Sequence, residues 1–595
     1  MRLRKKAIFT LFLLPGLVLF YVINSKNQKT STVYYEQDYQ FALQKTTKYG
    51  SCQLPILEPW HQSGLADLTP DLNPLKNCEK AFELRSWLEN GKLKIDNGRL
   101  YGETCWYRCV YFKTDSEYTT SEWITYKGKE VATECEVVEV ECSQRFKPTY
   151  MYLHVQLLKK PSQPSPPSNA SNVYVILIDS VSTSHLKRAL PKTKLYLEQT
   201  SQAVTFEYLN KVGLNSRPVS YAFLMNESPE DLPRNPWGKE RKIGKWNELC
   251  HVPLNNFSNF IGYQFRNNGY KTFAMDDSGL GNFNSPDCYG FTEAPMDHYI
   301  KQYAIRLEGL YGIPSPVLYD NIHYYQCRDG YEPVFETFQK FVKLYKNQPK
   351  FSYIWFTHIA HNNLNNLFRT DEKMLQYFKD IERELNNAFV IFLADHGARN
   401  HHFRQSFIGE YEDRNPFLMI SVPQKLRTNQ DLMNNLHVNS KELVTHYDVY
   451  ATMLELAQKS QEFTPATAFT TTNFTPINIE LKGSSLLHPL PSPRDCNTLL
   501  IPFQYCLCQH KQQKVRNDKL ALQVGQMIVN NMNKALFLSK FKNLCAKLTL
   551  DEGYKYKLIQ FLDGSRSETA YHIQLRVLPS NGLHEAHFTV CYYRS

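Results

Sequence analysis

Hydrophobic positions in the middle of the chain come as short unbroken runs and not as alternation. Val173-Tyr174-Val175-Ile176-Leu177-Ile178, Phe351-Ser352-Tyr353-Ile354-Trp355-Phe356, Ala388-Phe389-Val390-Ile391-Phe392-Leu393 and Phe417-Leu418-Met419-Ile420-Ser421-Val422 are rich in β-branched and aromatic residues. Runs this short and this apolar predict strands buried on both faces, as in a parallel sheet. Pro423 stops the last of them. Between the runs the spacing changes. Leu375, Phe378, Ile381 and Leu385 recur at helical intervals within 372–385, and 219–224 and 447–456 read as further helices, the latter with Asp448 near its start. Strands that alternate with helices predict an α/β domain, a central mixed, mostly parallel sheet flanked by helices, over residues 172–495. No internal repeat is visible.

The pattern differs on either side. From Val138 to Cys142 apolar and acidic residues exchange at period two, and Leu100 to Cys105 is also strand-like. These predict a small, cysteine-rich β module over 29–160. A Pro/Ser linker, 161–171, separates it from the α/β domain. Thr464 to Thr475 reads as an exposed loop. Residues 496–595 read as a C-terminal disulfide-tied region, with Cys545 to Cys591 forming a strand-containing cap.

Cysteine usage sets the compartment. The 14 cysteines concentrate before residue 143 and after residue 495, which predicts disulfides and the secretory pathway. Cys105/Cys109 and Cys506/Cys508 are close pairs, but no His/Cys spacing completes a zinc cluster. At the amino end Arg2, Arg4, Lys5 and Lys6 precede an uncharged run from Ala7 to Ile23. That run, with no small-residue cleavage site after it, predicts a type II signal anchor with a cytoplasmic tail over 1–28. The expected protein is then a single-pass membrane protein of the Golgi or cell surface; cleavage would make it a secreted, extracellular one. Sequons at Asn169, Asn226, Asn256 and Asn473 are candidate glycosylation sites. The net charge of +10 is spread along the chain without a basic stripe. That argues against nucleic acid and leaves room for an anionic substrate.

Two of the apolar runs end in metal-ligand residue types. One meets Asp179-Ser180, the other Ala394-Asp395-His396-Gly397. In open α/β sheets ligands bind beyond the carboxyl ends of the strands. Two carboxylates and an imidazole there suit a divalent cation such as zinc. A lone Asp after a strand would read as the N-cap of the next helix; the repetition favours metal. Ser216 follows in a turn-rich segment ahead of a helix. A metal-coordinated hydroxyl at a helix N-terminus can lose its proton and attack phosphorus or sulfur.

The order Ile178-Asp179-Ser180, Gly213-Leu214-Asn215-Ser216-x-Pro218, Thr357-His358-Ile359-Ala360-His361-Asn362, Ala394-Asp395-His396-Gly397 resembles the alkaline phosphatase superfamily. That superfamily includes sulfatases, nucleotide pyrophosphatases/phosphodiesterases and phosphoethanolamine transferases. The chain more closely resembles an uncharacterised animal family, domain of unknown function 229. The added matches are Gly269-Tyr270-Lys271-Thr272 with Asp276-Asp277, Arg404-x-Ser406 through Pro416, Tyr447 to Thr452, and Gly483-Ser484-Ser485-Leu486. The resemblance implies an alkaline-phosphatase/sulfatase-like fold. It implies one metal held by Asp179, Ser216, Asp395 and His396. It makes His361 a second-metal or leaving-group residue, with His358 and His446 weaker metal or substrate candidates. Asn215 would hydrogen-bond the transferred group and Arg404 would neutralise its charge.

The chain departs from the family where Thr is usual as nucleophile (Ser216), where His-Asp is usual (His361-Asn362) and where an arginine is usual (Thr183). No cysteine stands in the Cys-x-Pro-x-Arg context that animal sulfatases need, so phosphoryl chemistry is expected over sulfate ester chemistry. The sequence thus predicts a metal-dependent phosphoester hydrolase or phosphotransferase with one or two divalent ions, zinc foremost. Its substrate would be a phosphorylated small molecule, glycan or lipid. The alternative is a non-catalytic extracellular binding protein on the same scaffold.

Overall fold

A computed structural model describes residues 46–49, 52–97, 100–161, 169–233, 242–284, 288–309, 316–470, 474–539, 542–562 and 568–591. The expected signal anchor, most of the Pro/Ser linker and Asn473 lie outside the described residues. Among the described residues no helix is long and apolar enough to cross a membrane.

The central sheet has seven strands: β1 (Asn172–Ile178), β2 (Val204–Phe206), β3 (Lys271–Asp276), β4 (His298–Tyr299), β5 (Lys350–Phe356), β6 (Ala388–Leu393) and β7 (Leu418–Ser421). Their order across the sheet is β2-β7-β6-β1-β5-β3-β4. β1 lies parallel to β5 on one side and β6 on the other, with Ile176 opposite both Ile354 and Phe392. β3 continues the parallel array beside β5 and β4. β7 alone runs antiparallel to both its neighbours. The chain between β6 and β7 stays at the carboxyl edge of the sheet, where the Ala394 amide bonds the Phe417 carbonyl at 3.0 Å. With no crossover to the far edge, the returning strand has to be antiparallel.

The unbroken apolar runs follow from burial on both faces. Tyr174, Ile176 and Ile178 pack into one core with Phe338, Phe341, Phe378 and Phe392. Val173, Val175 and Leu177 pack into another with Phe223, Trp355, Leu393 and Val449. Each such side chain contributes about 1.5–3 kcal/mol. The helix expected over 372–385 is instead two helices, Asp371–Lys379 and Glu382–Leu385, broken at Asp380 and Ile381. Phe378, Ile381 and Leu385 are buried as expected, but Met374 takes the fully buried place expected of Leu375, which is only half-buried. The helix His446–Lys459 begins on a capping box: the Thr445 amide donates to Asp448 Oδ2 at 2.7 Å. The Thr-rich loop is not wholly exposed. Phe469 is buried, and Asn435 Nδ2 donates to its carbonyl at 2.7 Å.

In front, strands Lys147–Val155, Val137–Gln144, Thr104–Thr114 and Glu117–Thr120 form an antiparallel sheet, with Ile124–Thr125 also on Thr104–Thr114. The strand expected from Leu100 begins only at Thr104; Leu100 to Gly102 are a turn. Disulfides Cys105–Cys142 and Cys109–Cys135 lie within this module, and Cys78–Cys327 ties it to the α/β domain. Cys250–Cys288 lies within the α/β domain. Cys496–Cys506 and Cys52–Cys508 stand side by side, so Cys506 and Cys508 are spent in two disulfides and form no zinc cluster. After Lys511 a five-stranded antiparallel sheet carries the helix Asp518–Leu538. Cys545 there is half-buried and in no disulfide among the described residues. The cap is not tied through it: Leu558, Ile573, Leu575 and Val577 pack under Ala521, Val529 and Met532 instead.

Of the sequons, Asn169 and Asn256 are exposed. Asn226 is a correction. It is 2% exposed, and its Nδ2, the atom a glycan would need, donates to the Glu480 carbonyl at 2.8 Å.

Candidate metal centre

Because β1 and β6 are parallel neighbours, their carboxyl ends deliver Asp179 and Asp395 side by side. Ser180 turns the chain sharply after β1 in a left-handed conformation (φ 65°). That turn sends its amide to Asp395 Oδ1 at 3.0 Å and its hydroxyl to Asp179 Oδ1 at 2.7 Å, so one residue fixes both carboxylates. The His396 amide adds a second bond to Asp395 Oδ1, at 2.8 Å. Trp355 Nε1, from β5, donates to Asp179 Oδ2 at 3.4 Å.

Ser216 is the first residue of the helix Ser216–Met225. Its Oγ lies 3.1 Å from Asp179 Oδ2 and 3.4 Å from His396 Nε2. Gly213 makes this approach possible: a Cβ there would sit 2.5 Å from the Pro218 ring. Asn215, which precedes the helix, makes no side-chain cap, and its Oδ1 is buried without a partner.

The donor set of Asp179, Asp395 and His396 is buried, with one ligand atom of each within 4.8 Å of the others. His396 Nδ1 faces the Gly397 carbonyl at 2.8 Å. A carbonyl only accepts, so Nδ1 carries the proton and Nε2 presents its lone pair to the cluster. Burial lowers the His396 pKa to about 4, so the imidazole is neutral at physiological pH. Burial, and then the charge of Asp179, push the Asp395 pKa up. Asp395 Oδ2 is buried with no hydrogen-bond partner, and the unprotonated His396 Nε2 stands 3.3 Å from it. An unpartnered carboxylate oxygen, a second carboxylate, a neutral imidazole and a hydroxyl together fit a divalent cation.

The other sequence candidates are not gathered into this cluster. His446 spends Nε2 on the Ala394 carbonyl at 3.0 Å, where it buttresses the strand end that carries Asp395; its Nδ1 is buried without a partner. Arg404 donates through Nε to Asp413 Oδ2 at 2.9 Å. His361 is half-buried and bonds Asn362 Oδ1 at 2.9 Å.

Sequence reasoning assigned no role to several residues around the cluster. Lys211, fully buried, pairs with Asp413 at 2.6 Å. Burial nevertheless brings the Lys211 pKa down to about 8. Lys211, Asp413 and Arg399 act electrostatically on His396. Asp277, just past β3, accepts from the Thr357 amide at 2.7 Å and the His358 amide at 3.3 Å, which fixes the loop leading to His361. His358 in turn forms an ion pair with Glu308. Only Asp277 left a trace in the sequence, as half of an Asp-Asp pair after an apolar run; Lys211 and Glu308 resemble ordinary surface charges until the fold buries them.

The sequence profile of the family described as "Protein of unknown function (DUF229)" matches residues 73–553, and the chain belongs to that family. No curated protein matches it in sequence. Among solved structures it is similar to the phosphonate monoester hydrolase of Agrobacterium radiobacter (10% identity, 70% of this chain and 89% of that one, TM-score 0.36). It is similar to a protein of the alkaline phosphatase superfamily from Vibrio parahaemolyticus (13%, 70% and 82%, TM-score 0.33). A third likeness is to the lipoteichoic acid synthase LtaP from Listeria monocytogenes (11%, 59% and 78%, TM-score 0.31).

Proposed function

We propose that this DUF229 protein is a metal-dependent phosphoester hydrolase or phosphotransferase with Ser216 as its nucleophile. The observation that carries the reading is the position of Ser216 Oγ, at a helix N-terminus and 3.1 Å from Asp179 Oδ2, in the cluster that leaves Asp395 Oδ2 without a hydrogen bond. Asp179, Asp395, His396 and Ser216 would hold the cation, with zinc the metal that this donor set suits. Bound there, it would lower the pKa of the hydroxyl and offset charge on the phosphoryl oxygens.

The rest falls to the chain. Asp179 Oδ2 receives the Ser216 hydroxyl hydrogen. Oγ forms a bond to phosphorus as the bond to the leaving oxygen breaks, and that oxygen takes the electron pair. The amides at the start of the helix and the Arg404 guanidinium favour the developing charge. His361, on the loop after β5, supplies a proton to the leaving oxygen. Water or an acceptor hydroxyl then attacks the phosphoserine and restores Ser216. A phosphorylated small molecule, glycan or lipid fits this chemistry. The six disulfides among the described residues support an oxidising, secretory or extracellular setting.

The test is elemental analysis of the purified, oxidised protein beside Asp395→Ala, followed by a phosphoester screen with Ser216→Ala as control. A stoichiometric divalent ion that the Asp395 variant loses, with turnover that the Ser216 variant loses, is the expected result. No metal in the folded wild type would overturn the enzyme reading and favour a binding protein.

A further inference from the structure

The front module ends in a feature that the catalytic reading does not use. Strands Val137–Gln144 and Lys147–Val155 are joined by a two-residue turn, Arg145-Phe146. Both residues have positive φ, 48° and 66°. Turns of this kind ordinarily take Asn-Gly, because side chains resist the left-handed region. Here the second position holds a phenylalanine that packs on none of the described residues: Phe146 is fully exposed. A bulky residue kept in a strained conformation without packing in return points to a role outside the fold.

A second tip stands beside the first. Thr104 pairs with Ser143, and Gln144 Nε2 donates to the Tyr101 carbonyl at 2.7 Å, so the Leu100–Gly102 turn and the Arg145-Phe146 turn project together. Tyr101 is 98% exposed and Leu100 is also exposed. Arg145 and Lys147 are exposed on the flanks. Across 100–103 and 143–149 the only acid is Glu103, and its carboxylate is buried against Arg85.

Two convex tips with aromatic ends and cationic shoulders, and no exposed carboxylate, suit a soft anionic surface. Aromatic rings settle at headgroup depth while Arg and Lys meet lipid phosphates. A protein partner would need a complementary hollow for each ring. We infer that the paired tips Leu100-Tyr101 and Arg145-Phe146 dock on an anionic lipid surface. This docking is separate from any contribution of residues 7–23 and from the metal centre.

The test places the photo-crosslinker p-benzoylphenylalanine at position 146 of the full chain, reconstituted in vesicles of equal parts phosphatidylcholine and phosphatidylserine. A crosslinker at Asn581, an exposed hairpin turn of the C-terminal sheet, is the comparison. Phospholipid adducts at 146 well above those at 581 are expected. They should fall by about ten-fold or more in phosphatidylcholine alone or with Arg145→Glu/Lys147→Glu. With the crosslinker at 101 instead, Phe146→Gly should lose lipid adducts without lowering the melting temperature, since glycine relieves the turn. Equal yields at 146 and 581, yields indifferent to charge, or adducts mainly to protein would overturn the inference, the last in favour of a protein interface. A Phe146→Gly variant that melts earlier would mean the ring serves the fold.

Discussion

Ser216 Oγ and Asp179 Oδ2 are 3.1 Å apart, although 37 residues separate them in sequence. The contact joins the carboxyl end of a central strand to the first turn of a helix, both rigid elements. A nucleophile so placed has its geometry fixed before substrate arrives.

Ser216→Ala removes the hydroxyl and leaves both carboxylates and the imidazole in place. Turnover of any phosphoester substrate should fall by about a thousand-fold or more. Bound metal should persist, because three ligands remain. Parallel measurement of rate and metal content checks this. Loss of metal with activity intact would remove Ser216 from the nucleophile role.

Asp395→Asn should separate charge from structure. Burial and Asp179 raise the Asp395 pKa, so without a cation its ionised form destabilises the fold near neutral pH. In chelator, the Asn variant should therefore melt no lower than the wild type, and higher if it folds without strain. With zinc added, the order should reverse. Melting curves with and without chelator read the crossover directly.

The strands that carry the site were legible because burial on both faces leaves an unbroken apolar signature, and β6 begins and ends where its run of six does. The grouping of Asp179, Asp395 and His396 was legible because each lies within a few residues of a strand end. What was hidden depends on tertiary approach. The Lys211–Asp413 pair spans 202 residues, and nothing local to either residue reports the other. His446 was read as a candidate ligand from its position in the chain, and only the fold reveals the Ala394 carbonyl that takes its Nε2. Asn226 matched a sequon because three residues cannot report burial. The antiparallel turn of β7 was equally silent, since direction is a property of the connection and not of the run.

Lys211 and Asp413 make a buried pair, with Arg404 on the other carboxylate oxygen. Asp413→Asn would strand a buried ammonium, and should cost about 3–5 kcal/mol. Arg404→Ala should cost less, because its side chain is 31% exposed. Chemical denaturation of the two variants checks the ranking. If Arg404→Ala raises KM more than it lowers stability, it also supports contact with substrate.

The Cys52–Cys508 disulfide closes a separation of 456 residues, between two buried cysteines. Replacing both with serine should cost about 2–4 kcal/mol, chiefly by freeing the unfolded chain. The metal centre, whose residues come from other segments, should keep its ion. A drop in melting temperature with unchanged metal stoichiometry is the expected pair of readings.

The His358 region should give the fold a pH dependence of definite sign. Burial alone would lower the His358 pKa, but Asp277 and Glu308 outweigh it and raise the value from 6.5 to about 9. A raised cation stabilises the fold fully below its unfolded pKa, and that contribution fades as pH rises through about 9. Asp277 works in the same direction. Burial lifts its carboxyl from 3.8 to about 7, so its ionisation also weighs against the folded state as pH rises. His358→Gln removes the first effect, and with it the positive charge that holds the Asp277 carboxyl down. The variant should be less stable than wild type near pH 6, and the gap should narrow toward pH 10. Denaturation midpoints across that range measure the gap. A constant gap would mean that His358 acts through packing and not through its charge.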